Sequence, residues 1–179
     1  VDPSAIMREK LQVLYTDVMH IDGHKFLISV VEPLQLTIQA HIQNETASQL
    51  GLGIQGHLSV LRSRGFQPTT IYTDPQAGFR TLVGQFLNVN IDIGGAKDFV
   101  SKVDSKIRRI KELYRSVKAG LPWTLPTSFV PSLVTYAVSR LNLRRTAALP
   151  GHMCPLYLFT GAKINFKKQL TLAFGDYCE

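Results

Sequence analysis

The sequence is poor in cysteine and has no long apolar segment. Of its 179 residues only Cys154 and Cys178 are cysteines, too few for the disulfide framework of a small secreted domain. No apolar run approaches the roughly 20 residues that span a bilayer, and the first residues lack the apolar core of a signal peptide. We therefore predict reduced cysteines, an intracellular location and no membrane partner.

Acidic residues are scarce relative to basic ones. Thirteen Asp and Glu stand against 20 Lys and Arg, which gives a net charge of +7 and a pI of about 9.6. This balance favours a polyanionic partner such as nucleic acid, although a basic surface can also serve solubility alone. The 45% of hydrophobic residues suffice for one domain with a substantial core.

The periodicity of apolar residues predicts a mixed sheet covered by helices. Strands are predicted at 13–20, 25–31, 35–42, 68–74 and 89–93, and helices at about 46–64, 79–87 and 128–143, with a long helix of about 20 residues around 103–117. We expect Thr46 to cap the first helix and Asp22-Gly23 to turn the first hairpin. The order β-β-β-α-β-α-β-α-α is that of the α/β ribonuclease H-like fold, a five-stranded mixed sheet flanked by helices, in which the first and fourth strands are neighbours.

Two aspartates end the first and fourth predicted strands. Asp17 stands in LQVLYTDVMHIDGHKFLISVV and Asp74 in TTIYTDPQAGF. Neighbouring strands would bring both carboxylates to one edge of the sheet, where they can hold divalent metal ions for phosphoryl transfer. A lone Asp at a strand end is common in turns, so the prediction of a metal site depends on the pair.

Several segments carry a resemblance to a known family. They surround Asp17 (YTDVMHIDGHKFLISV) and Asp74 (IYTDPQAGF), lie in the long helix (VDSKIRRIKELYRSV), and continue to the end as LPWTLP, VSRLNLRR and CPLYLFTGAKINFKKQLTLAFGDY. Over nearly its whole length the chain resembles the catalytic core of retrotransposon integrases of the Copia type, within the DDE retroviral integrase superfamily.

The resemblance implies a third acid on the long helix, where the family carries a Glu. VDSKIRRIKE places Asp104 at that position, and Glu112 follows eight residues later, about 12 Å along a helix. We choose Asp104 over Glu112. The implied catalytic and metal-binding residues are Asp17, Asp74 and Asp104, which would hold two Mg²⁺ or Mn²⁺ ions.

Basic residues of the long helix are candidates for DNA contacts. Arg108, Lys111 and Arg115 lie at helical spacing on one side, and Lys97 precedes them. Such a row can bind phosphates beside the metal ions. The alternative is a solvated helix face with weak exposed ion pairs.

The resemblance implies an integrase core over 1–148 and a C-terminal extension over 149–179. Its expected activity is 3′-end processing and strand transfer of element DNA into target DNA, by a homodimer or higher oligomer in the nucleus. Because the chain does not begin with Met, we expect it to be part of a longer polypeptide. Two alternatives stay open: a degenerate or domesticated DNA-binding or assembly module, since Asp104 is one methylene shorter than Glu, and a ribonuclease H or resolvase-type nuclease.

Overall fold

The computed structural model has one five-stranded sheet with helices on both faces. It describes residues 10–94, 97–149, 151, 153–165, 167 and 173–176, with the backbone alone for 97–101. The strands are β1 (Leu11–Ile21), β2 (His24–Glu32), β3 (Leu36–Ile42), β4 (Gln67–Thr73) and β5 (Asn90–Ile93). The helices are α1 (Ala47–Arg62), α2 (Ala77–Arg80), α3 (Lys97–Gly120), α4 (Val130–Leu143) and α5 (Pro155–Thr160), with a 3₁₀ turn at Thr127–Phe129.

The strand order confirms the predicted ribonuclease H-like fold. The sheet runs β3-β2-β1-β4-β5, with β1, β2 and β3 antiparallel and β4 and β5 parallel to β1. The predicted hairpin turn also forms, with Asp22 and Gly23 both at positive φ, 46° and 78°, as a tight two-residue hairpin requires. The first and fourth strands are therefore direct neighbours, as the prediction required.

Alternate side chains of the central strands divide the core into two layers. Leu14 of β1 and Leu27 of β2 pack with α1, whereas Tyr15 and Phe26 pack with α3 and α4. This division follows from the two-residue period of a strand. It decides which helix each polar residue of the strands will meet.

The structure differs from the predicted elements in three details. No helix covers 79–87, since α2 ends at Arg80 and the chain then turns through Gly84 and Asn88, both at positive φ. Thr46 is the N-cap residue of α1, as predicted, but its side chain makes no capping hydrogen bond; its hydroxyl donates to Asn44 Oδ1 at 2.6 Å. Asp74 lies one residue beyond β4 rather than in it.

The segment after α4 contains a helix that the periodicity did not predict. Leu158 of α5 and Leu149 before it are buried in the core layer on the α1 side. Cys154, just before α5, is a buried free thiol, and Cys178 lies outside the described residues. Among the helices that the structure describes, none is long and apolar enough to span a membrane.

Candidate active site

The candidate site lies where the parallel pairing of β1 with β4 ends. The prediction that Asp17 ends its strand is wrong, because β1 continues to Ile21 in its pairing with β2. The parallel register pairs Thr16 of β1 with Thr73 of β4. Asp17 directly follows Thr16, and Asp74 directly follows Thr73. Both carboxylates are half-buried. The two aspartates are thus neighbours, as predicted, at the point where β4 has ended and β1 continues.

A stacked tyrosine pair shows which face of the sheet carries Asp17. Tyr15 and Tyr72 stand two residues before Asp17 and Asp74, and their rings stack with centroids 5.5 Å apart and planes 16° from parallel. Tyr15 belongs to the core layer that α3 and α4 cover. Because residues two apart in a strand share a face, the Asp17 carboxylate lies on the side of the sheet that α3 covers. Asp74 follows β4 and lies near enough for its charge to raise the pKa of Asp17.

Helix α3 brings a third carboxylate into electrostatic range. Asp104 is exposed on α3, close enough to Asp17 for its charge to raise the pKa of that residue. Glu112 lies 62% exposed further along α3, with its Oε1 3.9 Å from Arg108 Nε. The structure thus brings Asp104 toward the aspartate pair, and it leaves Glu112 on the outer surface.

Lys102 ties α3 to the sheet two residues before Asp104. Its ammonium group lies 2.7 Å from Glu32 Oε2 and 4.6 Å from the centroid of the Tyr15 ring. The carboxylate of Glu32 is the main reason that the pKa of Lys102 is raised. An ion pair and a cation–π contact together hold α3, at Lys102, over the tyrosine pair. Lys102 therefore helps to position the helix that carries Asp104.

The other end of α3 is held by the β1–β2 hairpin. The Tyr114 hydroxyl donates to Asp22 Oδ2 at 2.7 Å, and the Lys118 ammonium group donates to the same oxygen at 2.5 Å. These bonds, that of Lys118 first, lower the pKa of Asp22. Helix α3 is thus attached to the sheet on both sides of Asp104.

Asp17 has the most perturbed carboxylate of the site. Burial is the main reason that its pKa is raised to about 6, and the charges of Asp74 and Asp104 add to the effect. The Val18 N–H, which donates to Asp17 Oδ1 at 2.6 Å, acts in the opposite direction. At neutral pH the site therefore holds negative charges that repel one another, and a bound cation would relieve this repulsion.

Asp17 and Asp74 have the chemistry to hold a hard divalent cation. Mg²⁺ is commonly bound by one or two carboxylates, with water and substrate phosphates completing its coordination. In the described part of the chain, no three His, Cys, Asp or Glu side chains lie close enough together to hold one metal ion. The two strand aspartates fit such an ion. Asp104 approaches them without closing a three-ligand cage.

The predicted DNA-contacting residues occupy the exposed side of α3. Arg108, Lys111 and Arg115 line one open groove together with the two acids Asp104 and Glu112. Lys97 is the first residue of α3, and its side chain lies outside the described residues. The basic row and the third acid thus share one face, which suits a phosphate backbone running past the carboxylates.

The role of Lys102 and of the tyrosine pair was missed by the sequence analysis. Lys102 was one of several basic residues on the long helix, and nothing in its spacing distinguished it. Tyr15 and Tyr72 do have a recognisable pattern, because each begins a Tyr-Thr-Asp sequence whose Asp is one acid of the pair.

The fold and the paired aspartates define a ribonuclease H-like domain, and comparisons with solved structures agree. The catalytic core domain of BIV integrase matches with a TM-score of 0.61 at 16% identity, over 91% of this chain and 97% of that one. A chain of the simian T-cell lymphotropic virus intasome, solved in complex with PP2A regulatory subunit B56 gamma, matches with a TM-score of 0.65 at 13% identity, over 88% of this chain and 56% of that one. No protein-family model matches, and no curated protein matches. At such low identities the likeness shows the fold.

Proposed function

We propose that the chain is the catalytic core of a retroelement integrase of the Copia type, a metal-dependent polynucleotidyl transferase. The observation that carries the proposal is the pair Asp17 and Asp74 on neighbouring parallel strands, with the charge of Asp104 within reach of Asp17. The likeness of the fold to the catalytic core domain of BIV integrase supports it. The expected reactions are 3′-end processing of element DNA and strand transfer into target DNA.

Each acid has a distinct role in this proposal. Asp17 and Asp74 hold the cations beside the rigid sheet, and Asp104 is the third carboxylate, presented by α3. When bound, two Mg²⁺ or Mn²⁺ ions would activate the attacking hydroxyl and stabilise the departing oxygen. The acids themselves carry no covalent intermediate, since both reactions are in-line displacements at phosphorus.

The basic row on α3 positions the DNA. Arg108, Lys111 and Arg115 lie in the same groove as Asp104, so phosphates that they bind would lead the strand toward the acids. These contacts would be independent of base sequence and sensitive to salt. Lys97 remains a further candidate at the start of the same helix.

Assembly as a homodimer or higher oligomer is part of the proposal, as is action in the nucleus. The opposite face of the sheet offers a surface for assembly, because Leu52 and Leu87 are 60% and 81% exposed and line one groove beside α1. This groove is on the side away from the acids. Light scattering of the wild type and of Leu52→Lys should show an oligomer that the substitution weakens.

The second candidate is a DNA-binding or assembly module without catalytic activity. One observation favours it: within the described residues Asp104 does not complete a three-ligand metal group. Such a module would bind DNA through the basic row of α3 and would tolerate loss of the carboxylates.

A joining assay separates the two candidates. We expect joining of a DNA 3′-hydroxyl end to a target duplex in Mg²⁺ or Mn²⁺, with loss of activity in Asp17→Asn and Asp74→Asn and normal activity in Glu112→Gln. A preassembled branched DNA tests the reverse reaction, which needs no recognition of free ends. DNA binding with no joining on either substrate would favour the module, and activity that survives both Asp substitutions would refute the proposed site. Comparison with RNA–DNA hybrids and junctions tests the nuclease alternative.

A further inference from the structure

Two histidines bring ring nitrogens together at one end of the β2–β3 ladder. His24 is the first residue of β2, and His41 stands opposite Phe26 in the antiparallel register with β3. Because His24 and Phe26 are two residues apart, all three side chains lie on one face of the sheet. His24 Nδ1 lies 3.1 Å from His41 Nε2.

Packing holds both imidazole rings in place. The His41 ring has its centroid 5.1 Å from that of Phe26 and 5.1 Å from that of His24, and Phe26 is fully buried beneath them. Preorganised side chains lose little conformational entropy on binding a ligand. His41 is exposed and His24 half-buried, so a hydrated ion can reach both rings.

The separation of the two nitrogens suits two ligands of one metal ion. Imidazole nitrogens bind Zn²⁺ at about 2.0–2.1 Å, so two of them at angles of about 90–110° are about 2.9–3.4 Å apart. We propose that His24 and His41 chelate a borderline transition-metal ion of the Zn²⁺, Ni²⁺ or Cu²⁺ class, at a site separate from the carboxylates. Imidazole suits these ions, whereas Mg²⁺ prefers oxygen ligands.

The protonation of the pair is compatible with this role. In the metal-free pair one ring nitrogen donates its hydrogen to the other. When a metal ion binds, that hydrogen moves to the outward nitrogen of the same ring, and both imidazoles coordinate as neutral ligands without net release of a proton. Burial and the neighbouring His24 lower the pKa of His41, which favours the neutral ligand form at pH 7.

The chelate has two protein ligands, and neighbouring polar groups are engaged elsewhere. His20 Nε2 bonds Glu45 Oε1 at 2.9 Å, and the same oxygen accepts from Lys25 at 2.8 Å. Among the described residues no third His, Cys, Asp or Glu joins the pair, so water would fill the remaining positions. The ion would link the start of β2 to β3, which is the edge strand of the sheet. This inference does not depend on the proposed function.

Titration of the EDTA-stripped chain with Zn²⁺ alone tests the site. We expect one equivalent to shift the imidazole NMR signals of His24 and His41 and to raise the melting temperature by mass action. His24→Gln and His41→Gln should each weaken Zn²⁺ binding roughly tenfold or more, since even the loss of an outer partner of a metal ligand costs that much. His20→Gln is the matched control and should keep the wild-type affinity.

A double variant separates this site from the carboxylates. Asp17→Asn with Asp74→Asn should bind Zn²⁺ at the histidines as tightly as the wild type does. The proposal is overturned if Zn²⁺ affinity is unchanged in both histidine variants, if it disappears in the aspartate double variant, or if the wild-type imidazole signals do not move at one equivalent. The NMR result on the wild type stands even if a variant folds poorly.

Discussion

Replacing Asp17 by Asn should stabilise the fold at neutral pH in the absence of metal. Folding raises the pKa of Asp17 from 3.8 to about 6, first through burial and then through the charges of Asp74 and Asp104. Above pH 6 the Asp17 carboxylate is therefore ionised in both states, and its negative charge has a higher free energy in the native state than in the unfolded chain. Asn removes this charge and keeps an oxygen for the Val18 N–H, which now donates to Asp17 Oδ1 at 2.6 Å.

The size of the effect follows from the pKa values. The difference between 3.8 and about 6 corresponds to roughly 3 kcal/mol. Because the carboxylate is only partly buried, solvent screening reduces this to about 1–2 kcal/mol. Between pH 3.8 and about pH 6 the native state binds more protons than the unfolded chain does. The stability of the wild type therefore falls as the pH rises through this interval. The Asp17→Asn variant lacks this fall.

Urea denaturation in EDTA at pH 4.5 and pH 7.5 measures the difference. The variant should be the more stable protein at pH 7.5, and its advantage should be much smaller at pH 4.5. Glu112→Gln is the control, because Glu112 is exposed on the same helix as Asp104. Added Mg²⁺ should stabilise the wild type and not Asp17→Asn. A variant that is less stable than the wild type at pH 7.5, or a difference that does not change with pH, would refute this reasoning.

Substitutions at four further positions test the site and the fold. Asp104→Glu adds the methylene that the integrase pattern carries, so it should tighten Mn²⁺ binding, measured by electron paramagnetic resonance, while Asp104→Asn should weaken it. Lys102→Met removes the 2.7 Å ion pair with Glu32 and should cost about 1 kcal/mol in urea denaturation, since the pair is partly exposed. Gly78→Ala would place a Cβ 2.6 Å from a backbone oxygen and should lower stability by about 1–3 kcal/mol, whereas Gly56→Ala, with open space around its Cβ, should raise it by up to about 1 kcal/mol. A Gly78→Ala variant as stable as the wild type would contradict the close packing of α2 on α1.

The sheet was predictable because its strands follow local rules. Leu36, Ile38, Ala40 and Ile42 alternate with polar residues, and Asp22-Gly23 has the positive φ values of a hairpin turn. The order of the elements then narrowed the topology, which placed the first and fourth strands together. The positions of Asp17 and Asp74 followed from that neighbourhood and needed no side-chain detail.

The errors occurred where a local feature other than apolar periodicity decided the conformation. Periodicity continued the second helix to residue 87, yet Gly84 takes a positive φ and the chain turns. Thr46 is the N-cap of α1, but its side chain makes no hydrogen bond to the helix, and its hydroxyl donates to Asn44 Oδ1 two residues earlier. Neither feature is visible in the spacing of apolar residues.

Contacts between distant elements could not be predicted from the sequence, because they depend on how the helices and strands pack. Lys102 contacts Glu32 only because α3 packs on the face of the sheet that carries Tyr15. His24 contacts His41 only because β3 pairs with β2 in one particular register. A shift of one residue in that register would place the two histidines on opposite faces. Asp104 was assigned by resemblance, and the catalytic role of all three acids remains a prediction.

The electrostatics of the site suggest an experiment that distinguishes the proposed enzyme from a DNA-binding module. Burial and the charges of Asp74 and Asp104 raise the pKa of Asp17, so the ionised acids destabilise the fold at neutral pH. They would also repel the phosphates that the basic residues of the α3 groove attract. A divalent cation between Asp17 and Asp74 would remove both penalties at once, because it neutralises the acids and attracts the same phosphates. A module that only binds DNA would gain from replacing the acids. If Asp17→Asn stabilises the free protein and also tightens its binding to DNA in EDTA, while abolishing joining in Mg²⁺, then the carboxylates serve the metal and its chemistry rather than the fold.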